Sequence, residues 1–252
     1  EKTDCDPSDR RHCGVPLRLF HSSRRASLPG HGPEPVHGGR HLSSSRSRYA
    51  GGPSLQLPQS DFFGRIGVDG GLHNLEVLSY CVHTGTHMDA PYHVIETGGG
   101  IDTVDPLILI GPACVVKLDV PAGSYGITVD DVKAWEEENG EIQSGEAVLF
   151  HTGHDALWET DPDEYITNYP YLLPETAQYM VDKGVRYIAM ESISPDTTTT
   201  ESHQILLGNG VGVVENVCNL GDIEADRCYT IGTFPNSQGA TGVWTRILAL
   251  YP

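Results

Sequence analysis

The sequence of 252 residues predicts a single α/β domain, and three observations support this prediction. Short runs of β-branched and apolar residues, typical of strands, are interspersed with segments that carry helix start and stop signals. Apolar residues make up 38% of the chain, enough for a hydrophobic core, and the length suits one domain. Because strands and helices do not alternate strictly, the pattern alone supports no finer assignment than α/β, one domain.

Two strands and one helix are predicted in the first half of the chain. Residues 75–82 and 113–120 are rich in β-branched and apolar side chains, which favour strands. Thr128 can cap a helix with an acidic first turn, because its hydroxyl accepts from backbone amides and acidic residues complement the helix dipole. That helix runs through Trp135 and stops near Gly140.

The second half predicts further strands and one helix. Residues 146–151 form an apolar run typical of a strand. Pro174 suits the first turn of a second helix, and Gly184 suits its end. Residues 185–190 and 211–217 predict strands or buried runs, and residues 243–250 predict one last strand.

Charge and composition exclude several classes of partner. The net charge of −18 argues against binding nucleic acid or anionic membranes. No apolar stretch of about 18 residues occurs and the first residues are polar, so we predict neither a transmembrane helix nor a signal peptide. The six cysteines are dispersed without a C-x-x-C pair, which favours small buried residues in a reducing, cytoplasmic setting.

Residues 1–48 differ from the rest of the chain. They hold nine Lys and Arg against five Asp and Glu, whereas residues 49–252 hold seven against twenty-nine. Their Arg- and Ser-rich runs of low complexity predict a basic, disordered arm ahead of a domain at residues 49–252. Two hypotheses account for such an arm: a genuine flexible extension, or a reading-frame error in the gene sequence.

One short run carries most of the functional signal: His83-Thr84-Gly85-Thr86-His87-Met88-Asp89-Ala90-Pro91-Tyr92-His93. His and Asp are ligands that zinc and manganese prefer. A straight strand, rising about 3.3 Å per residue, would place His83 and Asp89 some 20 Å apart, too far for one ion with bonds of about 2 Å. The segment must therefore fold back on itself; Gly85 permits the turn and Pro91 stiffens the exit.

A second pair of candidate ligands lies far along the chain, at His203 and Glu215. Either residue alone would be unremarkable, because an isolated His or Glu is most often a surface or hydrogen-bonded group. Glu215, however, ends the apolar run 211–214, where an unpaired buried charge would be costly. A metal ion is one partner that would stabilise it.

Together these motifs resemble the metal-dependent cyclase family, which includes bacterial-type kynurenine formamidases and isatin hydrolase. The H-x-G-T-H-x-D-x-P-x-H run at residues 83–93 resembles the family signature. Further matching segments, which extend the resemblance over roughly residues 60–252, are Thr152-Gly153, 184–196, 203–220 and 239–246. Two segments depart from the family pattern and leave the substrate open: Met190-Glu191-Ser192 and Val243-Trp244-Thr245.

The resemblance implies a swivelling β/β/α fold built round a mixed sheet, and a homodimer or homotetramer. It implies two divalent ions per chain, zinc or manganese. The implied ligands are His83, His87 and Asp89 for one ion and Asp89, His203 and Glu215 for the other, with Asp89 bridging. His93 would be the general acid/base rather than a permanent ligand.

The expected activity is hydrolysis of an amide C–N bond in a small aryl substrate by metal-activated water, as in an arylformamidase. A cyclic amide, as in isatin or a lactam, is the alternative substrate. A metal-binding protein without turnover is the alternative of another class. The presence of His93 favours the enzyme, because a storage protein needs only the ligands whereas a hydrolase also needs a base within reach.

Overall fold

The computed structural model describes residues 18–22, 59–68 and 70–252, which form one domain round a mixed sheet. The strands before the first long helix are β1 Arg18–Ser22, β2 Gln59–Gly64, β3 Leu75–Ser79, β4 His87–Asp89, β5 Ile110–Lys117 and β6 Tyr125–Ile127. The later strands are β7 Ala147–His151, β8 Pro170–Leu172, β9 Tyr187–Met190, β10 Gly212–Glu215, β11 Arg227–Thr233, β12 Gly242–Trp244 and β13 Arg246–Tyr251. The α-helices are α1 Val129–Asn139, α2 Leu157–Thr160, α3 Pro162–Thr167, α4 Pro174–Asp182 and α5 Glu201–Gly208.

The main sheet has nine strands in the order β1-β13-β11-β5-β7-β9-β10-β4-β12. The four strands β5, β7, β9 and β10 run parallel, and antiparallel pairs extend the sheet on both sides. Strands β2 and β3 form a separate antiparallel pair, and β6 and β8 a small parallel one. The prediction of one α/β domain with a mixed sheet is confirmed.

The sheet separates two apolar cores. Strand β9 is buried on both faces, so its side chains alternate between the cores. Ile188 packs in the core that holds Val132 of α1 and Met180 of α4. Ala189 lies in the other core, with Met88 of β4. Helices α1 and α4 therefore cover one face of the sheet. Met88 of the short strand β4 packs in the core on the other face.

The predicted helix boundaries agree with the structure. Thr128 and Asp131 form a capping box at the start of α1: the Thr128 hydroxyl accepts from Asp131 N at 3.1 Å, and the Asp131 carboxylate accepts from Thr128 N at 2.8 Å. Gly140, with φ of +87°, ends α1. Pro174 occupies the first turn of α4, and Gly184 follows its end with φ of +71°.

The prediction of one last strand over residues 243–250 is wrong, because the chain turns a corner at Thr245. Strands β12 and β13 flank this residue yet lie at opposite sides of the sheet order. The Thr245 amide donates to the carbonyl of Thr86 at 3.1 Å, and its hydroxyl donates to the carbonyl of Thr233 at 2.9 Å. The sheet is therefore curled, so that strand β12 at one end of the strand order lies next to strand β13 near the other end, with Thr245 between them.

Two further differences from the predictions concern a strand and a helix, and the domain boundary remains a prediction. The strand predicted over residues 75–82 ends at Ser79, and it pairs with β2 outside the main sheet, where all its residues are exposed. Helix α5 falls in a segment for which the sequence analysis predicted no helix. Apart from residues 18–22, which pair with β13, the predicted arm at residues 1–48 lies outside the described residues, so the division at residue 48 stays a prediction.

Most of the described cysteines are buried, as predicted. Cys114, Cys218 and Cys228 are buried, and Cys81 is partly buried. Within the described ranges, none of the helices combines the length and the apolar character needed to cross a bilayer.

Candidate metal centre

The histidine-rich run folds back on itself as the spacing requires. After β3 the chain turns at His83, and Gly85 takes the left-handed φ of +69° that favours glycine. His83 Nδ1 thereby comes within 2.9 Å of Asp89 Oδ1. His87 and Asp89 lie beyond the turn, on strand β4, and their side chains share one face of it.

The pairing of β4 with β10 brings Glu215 to this face. Glu215 is directly opposite His87 in the antiparallel register. His87 Nε2 lies 3.2 Å from Glu215 Oε2 and 3.3 Å from Asp89 Oδ1. All three side chains are buried, so two carboxylates and an imidazole converge out of contact with bulk water.

Helix α5 supplies His203 and aims it at the same point. His203 Nε2 lies 3.0 Å from Glu215 Oε1 and 3.3 Å from Asp89 Oδ2. Its other ring nitrogen, Nδ1, contacts Asp196 Oδ2 at 2.7 Å. The Asp196 carboxylate also accepts from the backbone amides of Ser202 and His203, at 2.8 and 3.0 Å, so one side chain both caps the helix and orients the imidazole.

His93 lies at the rim of the cluster, on the 3-10 turn Pro91–His93. Its ring centroid is 4.0 Å from that of His83 and 5.5 Å from that of His203. It is exposed, whereas the other five candidate residues are buried or partly buried. The structure thus brings all six predicted site residues together, with His93 on the solvent side.

Two overlapping sets of donor atoms are close enough to share an ion. Ligand atoms of His83, Asp89 and His93 lie within 4.8 Å of one another, and so do those of His87, Asp89 and Glu215. Asp89 belongs to both sets, as expected of a bridging ligand. The grouping of His93 with His83 differs from the division implied by the resemblance, in which His93 is no permanent ligand.

The site's electrostatics follow from this packing. Burial alone would lower the pKa of His87, but the charges of Asp89 and Glu215 outweigh it and raise that pKa to about 10. Burial would likewise lower the pKa of His203, yet Asp196, Asp89 and Glu215 raise it above its usual value. Conversely, burial would raise the pKa of Asp89, and the surrounding imidazoles hold it well below its usual range.

The pKa of His93 is shifted in the opposite direction to those of His87 and His203. Partial removal of its ring from water lowers its pKa, and Asp89 offsets this only in part. Its imidazole is therefore neutral at neutral pH and able to accept a proton.

The donor set suits a divalent cation. His87 Nε2 is fully buried and, among the residues that the structure describes, has no hydrogen-bond partner of suitable geometry. Its Nδ1 contacts the carbonyl of Gly85 at 2.7 Å, so Nε2 is the nitrogen whose lone pair can bind a cation once its proton is lost. A lone pair that faces two buried carboxylates is well placed to bind a cation, and nitrogen and carboxylate ligands fit zinc or manganese.

The carboxyl end of β10 is anchored by a residue that the sequence analysis did not single out. Asn216, with φ of +54°, accepts at its carbonyl from the Thr86 hydroxyl at 2.7 Å. Its side-chain oxygen accepts from the Tyr165 hydroxyl at 2.9 Å, and the same hydroxyl contacts the carbonyl of Glu191 at 2.7 Å. This network ties the histidine turn to the strand that carries Glu215.

An aromatic pair borders the site where the sequence departs from the family pattern. Trp244 on β12 is directly opposite His87 in the antiparallel register. Its ring stacks on Tyr80, with centroids 3.8 Å apart. Aromatic surface therefore lies next to the candidate ligands.

Comparison with known proteins agrees with this geometry. Residues 26–197 match the Cyclase family, described as "Putative cyclase". The chain belongs to this family. The match spans more than half of the sequence, and the family membership predicted from the motifs is confirmed.

Two relatives and one solved structure illustrate how this Cyclase-family protein compares. A kynurenine formamidase of Bacillus cereus is 27% identical over 170 residues, 66% of this chain and 75% of that protein. Isatin hydrolase of Roseibium aggregatum is 28% identical over 190 residues, 68% of this chain and 72% of that protein. Isatin hydrolase A from Ralstonia solanacearum has a TM-score of 0.74 at 22% identity, with coverage of 94% of this chain and 92% of that chain, and so shares the fold.

Proposed function

We propose that this protein is a metal-dependent hydrolase that cleaves an amide C–N bond of a small aryl substrate, in the manner of an arylformamidase. The observation that carries the proposal is the convergence of His83, His87, Asp89, His203 and Glu215 on one point, with His93 open to solvent beside it. The buried residues can hold cations, and the open imidazole can move a proton. Membership of the Cyclase family supports the same chemistry.

The proposed ligands are those expected from the motifs, with two zinc or manganese ions per chain. Asp89 would be the ligand shared by both ions, since its Oδ1 faces His83 and His87 while its Oδ2 faces His203. Glu215 completes the second site, because its two oxygens face His87 and His203 separately. When bound, the ions would supply a Lewis acid that activates water and stabilises negative charge on the amide oxygen.

His93 serves as the general base and then the general acid. Its neutral imidazole takes a proton from the attacking water and returns it to the leaving nitrogen. The new C–O bond forms first, as water adds to the carbonyl carbon, and the C–N bond then breaks, so one amide and one water give a carboxylic acid and an amine. Its exposed position at the rim suits this task, because a proton carrier must reach both the water and the substrate.

The substrate class is a small aryl amide, with N-formylkynurenine as the first candidate and isatin as the second. The relatives named kynurenine formamidase and isatin hydrolase support this choice, as does the Tyr80–Trp244 stack beside His87. The test is metal-loaded protein assayed with each compound, using chelator-treated protein and the His87→Ala variant as controls. Metal-dependent hydrolysis of N-formylkynurenine is expected. Opening of isatin alone would favour the cyclic amide alternative, and turnover of neither would favour a non-catalytic metal-binding protein.

We further infer that the protein works as a homodimer or homotetramer in the cytoplasm. Strand β3 exposes Leu75 and Val77 on one face and Leu78 on the other. A two-stranded pair is marginally stable alone, and contiguous exposed apolar side chains favour contact with another chain. Light scattering should give two or four times the chain mass; a monomer at micromolar concentration would contradict this.

A further inference from the structure

The closing Gly-Ala-Thr-Gly segment, residues 239–242, lies against the histidine turn. The amide of Ala90 donates to the carbonyl of Thr241 at 2.9 Å, and Gly242 is opposite Asp89 in the β4–β12 register. A Cβ atom at Gly242 would come within 2.7 Å of the His83 ring. Glycine at this position therefore leaves the space that the imidazole of His83 occupies.

The Thr241 side chain contacts the same imidazole. Thr241 Oγ1 is 2.9 Å from His83 Nε2, while His83 Nδ1 is 2.9 Å from Asp89 Oδ1. A neutral imidazole carries one proton, and the partner of one nitrogen decides which nitrogen keeps a lone pair. The Thr241 hydroxyl therefore sits where it can determine how His83 faces the carboxylates.

His87 and His203, the other two proposed histidine ligands, face the carboxylates with the opposite ring nitrogen. Gly85 and Asp196 engage the Nδ1 atoms of His87 and His203, so both present Nε2 to the carboxylate cluster. His83 presents Nδ1, and its outward nitrogen, Nε2, faces a hydroxyl rather than a carbonyl or a carboxylate.

We propose that Thr241 is a positioning residue: its hydroxyl oxygen accepts a hydrogen bond from the Nε2–H group of His83 and so directs the Nδ1 lone pair of His83 towards the metal. The inference deepens the proposed function, because it specifies how one proposed ligand is held, but it concerns metal binding and requires no particular substrate. Partners of this kind typically change metal affinity by about 10- to 100-fold when removed.

The test compares Thr241→Val, which keeps the shape but loses the hydroxyl, with Thr241→Ser, which keeps the hydroxyl. Zinc affinity is measured by competition with a chromophoric chelator, and Thr103→Val is the control because the Thr103 hydroxyl donates to the nearby Gly100 carbonyl in an exposed turn. Affinity should fall about 10- to 100-fold in Thr241→Val and stay within about threefold of wild type in Thr241→Ser. Equal affinity in all the proteins would overturn the proposal.

A second measurement needs no variant. Carbon and nitrogen NMR shifts of the histidine rings in zinc-loaded wild-type protein report which nitrogen binds the metal. Nδ1 ligation with a protonated Nε2 is expected for His83; Nε2 ligation, or a proton on Nδ1, would overturn the proposal. Both readouts are independent of turnover, so failure of the proposed hydrolase activity would show separately, as metal-loaded protein that leaves both aryl substrates intact.

Discussion

Glu215 lies directly opposite His87 across the antiparallel pair β10–β4, with Glu215 Oε2 3.2 Å from His87 Nε2. The register of two short strands therefore sets the distance between two proposed ligands that are far apart in the sequence. Within the described part of the chain, this ring nitrogen has no hydrogen-bond partner of suitable geometry, so the carboxylate and the imidazole are well suited to share a cation.

Removal of Glu215 should lower the metal content. Glu215→Gln keeps the size of the side chain but loses the negative charge that faces His87 and His203, so zinc or manganese should fall from about two ions per chain towards one. Elemental mass spectrometry of the purified variant measures this. The matched control is Glu201→Gln, an exposed residue at the start of α5; unchanged stoichiometry in Glu215→Gln would place the protein in a single-metal class.

Loss of His93 should separate catalysis from metal binding. In His93→Ala the proton carrier is gone while the buried ligands remain, so kcat/KM should fall by about 10²- to 10⁴-fold with metal content unchanged. Steady-state kinetics and elemental analysis on the same sample provide the comparison. Joint loss of metal and turnover would instead make His93 a ligand, in line with its closeness to His83 and Asp89.

Asp196 should act on the metal through His203. Asp196→Asn weakens the contact that orients His203 and leaves fewer acceptors for the amides at the start of α5. Metal affinity should fall by about 10- to 100-fold, as measured by chelator competition. Asp163→Asn, in the exposed first turn of α3, should bind as wild type does; an equal affinity in Asp196→Asn would mean that His203 needs no such support.

Metal-free protein should lose stability as the pH rises. The pKa of His87 is raised from 6.5 to about 10 in the folded chain, so its contribution is fully present below about pH 6.5 and is lost as the pH approaches 10. The pKa of His203 is also raised, which acts in the same direction. Thermal melts of chelator-treated protein from about pH 6.5 to about pH 9.5 should therefore show a falling Tm, whereas a rising Tm would contradict the charge arrangement described here.

Metal affinity should rise with pH, whereas the stability of the metal-free protein should fall. A cation competes with the proton for His87 Nε2, so metal affinity should increase over the same pH range. Titration calorimetry with zinc in two buffers of different ionisation enthalpy would count the protons released. Binding without proton release near neutral pH would show that His87 is not protonated in the metal-free site.

Sequence reasoning predicted the site well where local chemistry decides the structure. The spacing of His83 and Asp89 required a reversal, and Gly85 provides it with a positive φ. Capping at Thr128 likewise depends on adjacent residues, and that helix appears where predicted. These features depend on a few neighbouring side chains, which a single sequence displays directly.

Features that depend on distant partners were less predictable. Thr245 turns a corner because its amide and hydroxyl bind Thr86 and Thr233, and neither contact is visible in the apolar run 243–250. Helix α5 begins after a run of threonines that are poor helix formers, and Asp196 caps it in place of Thr200. The sequence clue to Asp196 is its place at the end of the 184–196 segment that resembles the family pattern, seven positions before His203.

Metal content per chain, measured by elemental mass spectrometry on tag-free protein purified without chelator, tests the central claim most directly. The convergence of His83, His87, Asp89, His203 and Glu215 predicts about two zinc or manganese ions per chain. No bound metal, even after reconstitution with an excess of either ion, would contradict the account.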